Sequence, residues 1–325
     1  MNDYEKMSEV EKNNFLSEIC NLYYEANMTQ SEIAQKFSTT RFKISKFLSE
    51  AKEKKIVEIT IHRTYDHNSN LELALKERFN LKDAIVFDNS SSPSEDSLAC
   101  LGELGANYIN SIIKENLIIG IAWGKTLSNV IKNMHPRKKF PITVVQILGS
   151  AAKNNPLNDT PELIRKLANS YDGKYKFLYA PMYIDNDYAR KALIHEPVIN
   201  DTLFLASKAD IIITGIGTVD SIFSSSLWSN YLVKNEEKIA KDLGAAGCIC
   251  GHIFDVNGNE LNLDLNKKLI GVDLATLHHT KYTVAIAAGK FKANAILGAL
   301  RGNHINVLIT DSSTAEKVLY SDEKF

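Results

Sequence analysis

Residues 117 to 126 read Leu-Ile-Ile-Gly-Ile-Ala-Trp-Gly-Lys-Thr, an apolar run that stops on a glycine, a lysine and a hydroxyl just before a helical pattern. An unbroken apolar run of this length is what a strand buried on both faces needs. The same order recurs downstream. Ile211 to Thr214 ends in Gly215-Ile216-Gly217-Thr218, and Thr283 to Ala288 ends in Gly289-Lys290-Phe291-Lys292 ahead of a helix from Ala293 to Leu300. Further strand candidates are Ala84 to Phe87, Ile142 to Leu148, Phe177 to Ala180 and Ile305 to Thr310, with helical patterns between them. Alternation of this kind predicts a Rossmann-like α/β module, a largely parallel sheet with helices on both faces.

In open sheets of that class, ligands bind beyond the carboxyl ends of the strands, so the strand ends are where a site is sought. Gly124, Lys125 and Thr126 combine close backbone approach, a hydroxyl and helix-start amides, the elements that receive an anion. Gly215, Gly217 and Thr218 repeat that chemistry, and Lys290 or Lys292 can add a fixed positive charge. Each turn alone is a weak signal and reads more readily as a plain strand-to-helix turn. Convergence of all three would suit a phosphate group. Gly149 and Ser150, followed by a polar loop to Asp159, are placed on the sugar side of the same pocket; Tyr179 and Pro181 close another strand and serve structure or ligand alike.

The chain has 325 residues, 44% hydrophobic and 24% charged, which predicts two globular domains and argues against disorder. The start, MNDYEKMSEVEKNN, lacks the basic and apolar segments of a secretory signal, and no apolar stretch approaches a membrane span. A cytoplasmic protein without membrane contact is expected. Four cysteines, Cys20, Cys100, Cys248 and Cys250, are too few for a disulfide framework and are read as reduced and structural. Cys248 and Cys250 sit in a strand-like run, CICGHIF, with no supporting ligands for a metal.

The net charge of −1 hides an uneven distribution: Met28 to Ile56 holds seven Lys/Arg against three acids. A local basic patch on an otherwise acidic chain fits a phosphate backbone, which binds by releasing counterions, though lysine-rich surface helices are common. The same region reads as helices. The first runs from about Val10 to Ala26, with Phe15, Leu16, Ile19, Leu22 and Tyr23 forming its buried stripe. The second opens on Thr29-Gln30-Ser31-Glu32, the pattern of a capping box. After the polar break Ser38-Thr39-Thr40 a third runs from Arg41 to Lys54, burying Ile44, Phe47, Leu48 and Ala51. This is the helix-turn-helix layout, in which the second helix presents its start to DNA. Thr29, Gln30, Ser38, Thr39, Thr40, Arg41, Lys43, Ser45 and Lys46 are the candidate contacts, to bases or to phosphates. Ile56 to His62 reads as a strand, the wing of a winged helix, and Asn70 to Leu81 as a helix joining the modules. The expected domains are 1–62 for DNA binding, 63–81 as a linker helix and 82–325 for the effector.

Taken together, LYYEANMTQSEIAQKF and ISKFLSEAKEKKIVEI in the first module, and GIAWGKTL, VVQILGS, APMY, ADIIITGIGTV, GHIFDVNG, KKLIGVDLATL, AAGKFKANAILGAL and NVLITD in the second, resemble the SorC family of sugar-binding transcriptional regulators from Phe15 to Leu319. The resemblance implies a fold shared with the ribose-5-phosphate and glucosamine-6-phosphate isomerase and CoA-transferase-like proteins, without catalysis. It further implies that the Gly124 to Thr126 loop and Lys292 hold a phosphate, and that the chain forms a homodimer or a dimer of dimers. Two departures stand out. Leu148 occupies the position of a lysine that in one branch forms a Schiff base, so noncovalent binding is expected. Gly251-His252 replaces a common Gly-Arg or Gly-Tyr, and Lys268 stands in place of an expected arginine.

The function expected is therefore a DNA-binding regulator, a repressor of transcription, whose affinity for double-stranded operator DNA is controlled by a phosphorylated sugar, with no cofactor and no metal. Lys268 completes the candidate effector set. A second reading is a sugar-phosphate isomerase or deaminase with an accessory helical domain, drawing its acid and base from Asp220, His252, Asp255 and Asp273. A third is a constitutive DNA-binding or scaffolding protein with a vestigial pocket.

Overall fold

A computed structural model describes residues 4–57, 66–89, 97–150, 160–224 and 235–323. The chain divides into two compact units, Met1–Thr64 and Tyr65–Phe325.

The described residues of the first unit are mostly helical. Helix α1 (Glu9–Cys20) starts on a capping box at Ser8 and Glu11 and continues into a wider π-helical turn, Asn21–Glu25. Helix α2 (Gln30–Lys36) and helix α3 (Arg41–Glu53) follow. Leu16, Ile19, Cys20, Ile33, Ala34, Ile44, Leu48 and Ala51 form their common core. Phe15 locks the three helices together, meeting Phe37 and Phe47 edge-on with ring centroids 5.4 Å apart in each pair, the preferred aromatic geometry. The wing strand expected at Ile56 to His62 lies, from residue 58 on, outside the described residues.

The second unit is built on seven parallel strands: β1 (Asp83–Phe87), β2 (Ile118–Ile121), β3 (Thr143–Gln146), β4 (Lys174–Lys176), β5 (Ile211–Thr214), β9 (Tyr282–Ile286) and β10 (Val307–Asp311). Their order is β1-β10-β9-β5-β2-β3-β4. Strands β6 (Gly217–Thr218), β7 (Ala245–Ile249) and β8 (His252–Asp255) make a small antiparallel sheet beside it. The run β2, β3, β4 builds outward in one direction, and β5 returns to the other side of β2. That reversal opens a crevice above the β2 and β5 ends, the place where such sheets receive ligands. All four residues of β5 are buried, which accounts for its continuous apolar sequence.

Three sequence expectations are corrected. The segment read as a linker helix is integral to the second unit: its helix, Ser69–Phe79, buries Leu75 fully in the main core, and its side packs on β1. The strand expected at Phe177 to Ala180 forms three residues earlier, because the Gln146 side chain takes the Leu178 N–H at 3.0 Å and turns the chain out of the ladder. The run CICGHIF is a tight hairpin, with Cys250 and Gly251 at its turn, both at positive φ (47° and 86°). That pair of conformations suits a two-residue hairpin turn.

Candidate functional site

A cavity of about 600 Å³ lies beyond the carboxyl ends of β2, β3, β5 and β9, with the β7–β8 hairpin as one wall. This is within the range of small-molecule sites. Gly124, Lys125 and Thr126 line it after β2; Thr214, Gly215, Ile216 and Gly217 after β5; Lys292 after β9. The helix Lys125–Lys132 begins there, and Gly124 precedes it with φ 141°, a conformation that side chains resist. Ser128 N–H is the first in the helix to bond back, to Gly124 O at 2.9 Å. The amides of the preceding turn carry the partial positive charge of a helix start.

Lys292 closes the short 3-10 turn Lys290–Lys292 and is half-buried, whereas Lys290 is exposed and stands outside the lining. Burial pushes the Lys292 ammonium below its ordinary pKa, and the nearby Cys248 acts weakly in the opposite sense. A cation held partly out of water without a carboxylate partner among the described residues is costly unless an anion joins it. With Lys125, the described lining carries two cations and no acid.

The other walls are apolar or weakly polar. Leu148, Met182 and Tyr183 enter after β3 and β4, and Ser221 and Ser224 come from the helix Val219–Phe223 and its end. Cys248 and Cys250, read from the sequence as merely structural, also line the cavity. Desolvation raises both thiols, to about 11 and about 12, so they present as neutral S–H groups rather than thiolates. The two serines and the hairpin cysteines had no strand-end motif to mark them; position one turn after Gly217, or across the ladder from it, was the available signal.

Five residues predicted for this site lie outside its lining. Gly149 is packed so tightly on the Pro181 carbonyl that a methyl group would collide with it. The Ser150 hydroxyl accepts from Gln146 Nε2 at 3.2 Å, and the loop from 151 to 159 lies outside the described residues. Tyr179 is 68% exposed beside Tyr175 and Phe177, away from the cavity. Thr218 caps the helix Val219–Phe223. Lys268 pairs with Asp185 at 2.8 Å.

The four side chains considered for acid–base work are occupied elsewhere, and none lines the cavity. Asp255 braces its own turn by accepting from the Asn257 and Asn259 amides, and Asp273 caps the helix Leu274–His279. His252 faces Glu260 at 2.6 Å and the Val272 carbonyl at 2.9 Å. Asp220 lies 3.7 Å from Lys241.

In the first unit, Thr29 caps α2 with a full capping box, its N–H meeting the Glu32 carboxylate at 2.7 Å. Those bonds hold the Glu32 carboxyl below its usual value. Gln30 follows, half-buried. The turn places Ser38 at φ 47° and exposed, and Thr39 half-buried. Thr40 caps α3 by accepting the Lys43 N–H at 3.3 Å. Arg41, Lys43, Ser45 and Lys46 are all exposed, and no ion pair engages the three cations among the described residues. They form a basic surface of the kind that meets a phosphate backbone.

Residues 63–320 match the family model described as "Putative sugar-binding domain". The chain is 29% identical over 303 residues to the sorbitol operon regulator of Klebsiella pneumoniae, covering 93% of this chain and 96% of that one. It is also 29% identical over 313 residues to the deoxyribonucleoside regulator of Bacillus subtilis, covering 95% and 98%. The crystal structure of the full-length sorbitol operon regulator SorC superposes with a TM-score of 0.75 at 27% identity, over 96% of this chain and 99% of that one.

Proposed function

Given that the chain belongs to the SorC family of sugar-binding transcriptional regulators, we propose that it is a cytoplasmic repressor whose grip on operator DNA is set by a phosphorylated sugar bound noncovalently in the β2–β5 crevice. The observation that carries this reading is the gathering of the Gly124–Thr126 turn, the Gly215–Gly217 turn and the half-buried Lys292 in one cavity whose described lining holds no acid. Phosphate oxygens would accept from the helix-start amides, from Thr126 and from the Lys292 ammonium; charge-assisted bonds of this kind are the strong ones. The hydrocarbon of Leu148, where a covalent branch carries a lysine, supports noncovalent binding. The surface formed by Ser38 to Lys46, with Thr29 and Gln30 beside it, would enter the major groove as a helix-turn-helix. No helix among the described residues is long and apolar enough to cross a membrane.

Control requires that the sugar phosphate favour one arrangement of a homodimer or homotetramer over another, since equal affinity for both shifts nothing. The test pairs thermal unfolding with DNA binding across phosphorylated sugars and their unphosphorylated parents. A phosphorylated sugar at a hundred times its Kd is expected to stabilise by about 2.7 kcal/mol and to change the affinity for the chain's own upstream DNA. Equal responses to sugar and sugar phosphate would refute the phosphate site, and DNA binding without preference for upstream sequence would refute the regulator's operator.

A further inference from the structure

Helix α3 turns almost every apolar side chain inward: Ile44, Leu48 and Ala51 are buried and Phe47 packs against the same core. Phe42 does not. It is 77% exposed, among the most exposed large apolar side chains of the described residues, and it has no ring partner among them. It is the second residue of α3, set between Arg41 and Lys43, and helical spacing puts Ser45 and Lys46 on its own face one turn further along. An apolar ring thus stands in the middle of an exposed cationic surface.

Charge draws that surface to a polyanion, but a phosphate gives a phenyl ring nothing to hold. Among the base edges of the major groove, one group is apolar, the C5 methyl of thymine, and phenylalanine is among the side chains that pack on it. We propose that Phe42 is a specificity-determining residue that reads a thymine by covering its C5 methyl. The inference rests on the reading of α3 as the helix that enters the groove. It assigns base discrimination to Phe42, leaving Lys43 and Lys46 to phosphates and Arg41 to whichever neighbour lies in reach.

The test selects duplexes from a random pool with the full-length chain and with its Phe42→Ala and Phe42→Leu variants. The wild-type motif is expected to hold one thymine whose preference flattens in Phe42→Ala and survives in Phe42→Leu. Replacing that thymine by deoxyuridine removes only the methyl group. It should weaken the wild type roughly fourfold, the worth of one buried methyl, and leave Phe42→Ala unmoved. Because the ring is exposed, thermal unfolding of both variants should match the wild type. An unchanged motif in Phe42→Ala, or equal weakening of both proteins by deoxyuridine, overturns the role of Phe42 while the DNA reading stands. Absence of any sequence preference in all three proteins overturns both.

Discussion

The imidazoles of His278 and His304 lie within 9° of parallel, with His278 Nε2 2.9 Å from His304 Nδ1. On its far side His304 Nε2 meets the Gly258 carbonyl at 2.7 Å. A carbonyl only accepts, so Nε2 of His304 carries the proton, Nδ1 of the neutral ring accepts, and His278 donates. The ring is almost wholly buried, and this relay ties the helix Leu274–His279 to the turn after β8.

That arrangement makes the second unit acid-sensitive. Burial, aided by the neighbouring His278 and His252, depresses the His304 pKa below its ordinary 6.5, against the opposing pull of the Gly258 carbonyl and of Glu260. The unfolded chain therefore takes up the proton first. Stability from this site is complete above about pH 6.5 and is lost as the pH falls through the lower folded value. The melting temperature is expected to drop between pH 7 and pH 5, and to drop less in His304→Gln; equal drops would show that other groups carry the effect.

Replacing Lys292 by Met should separate binding from folding. Loss of a charge-assisted bond to phosphate, about 1.5–3 kcal/mol, weakens a sugar phosphate by about ten- to a hundredfold in calorimetric titration. Without ligand, Lys292→Met is expected to be at least as stable as the wild type, because a desolvated cation has been removed. A variant that binds normally would exclude Lys292 from the phosphate site.

On α3, Lys43→Ala and Lys46→Ala should each reduce affinity about equally for all duplexes. Each should lower the slope of log affinity against log salt by about 1, as expected for a side chain on a phosphate. A change in preferred sequence without a change in slope would place that lysine on a base instead.

Gly149→Ala tests a residue first read as a ligand contact. A Cβ there meets the Pro181 carbonyl and the Met182 amide, both backbone and unable to yield cheaply. Overpacking of this sort costs about 1–3 kcal/mol, visible as a lower urea midpoint. Ligand affinity of the folded fraction should stay as it was.

The parallel sheet was legible because doubly buried strands such as β5 carry uninterrupted apolar sequence, and the helices of the first unit because Leu16, Ile19, Ile33, Ala34, Ile44 and Leu48 repeat at helical spacing. Strand β4 escaped because all three of its residues are exposed at the sheet edge and carry no burial pattern. In the cavity, glycine turns at strand ends announced Gly124, Gly215 and Lys292. Contacts made across elements had no such mark. Lys268 belongs to Asp185, and Cys248 faces the cavity because β7 pairs it with Gly217, relations that depend on segments remote in the chain.

Strand β1 stands at one edge of the parallel sheet, paired there with β10, Asp83 opposite Val307, and the crevice takes Lys292 from the turn after β9. During synthesis, helices α1 to α3 can therefore finish packing among themselves long before the C-terminal strands leave the ribosome. On the function proposed above, a chain interrupted before residue 292 would keep helices α1 to α3 but lack Lys292, and with it part of the positive charge offered to a sugar phosphate.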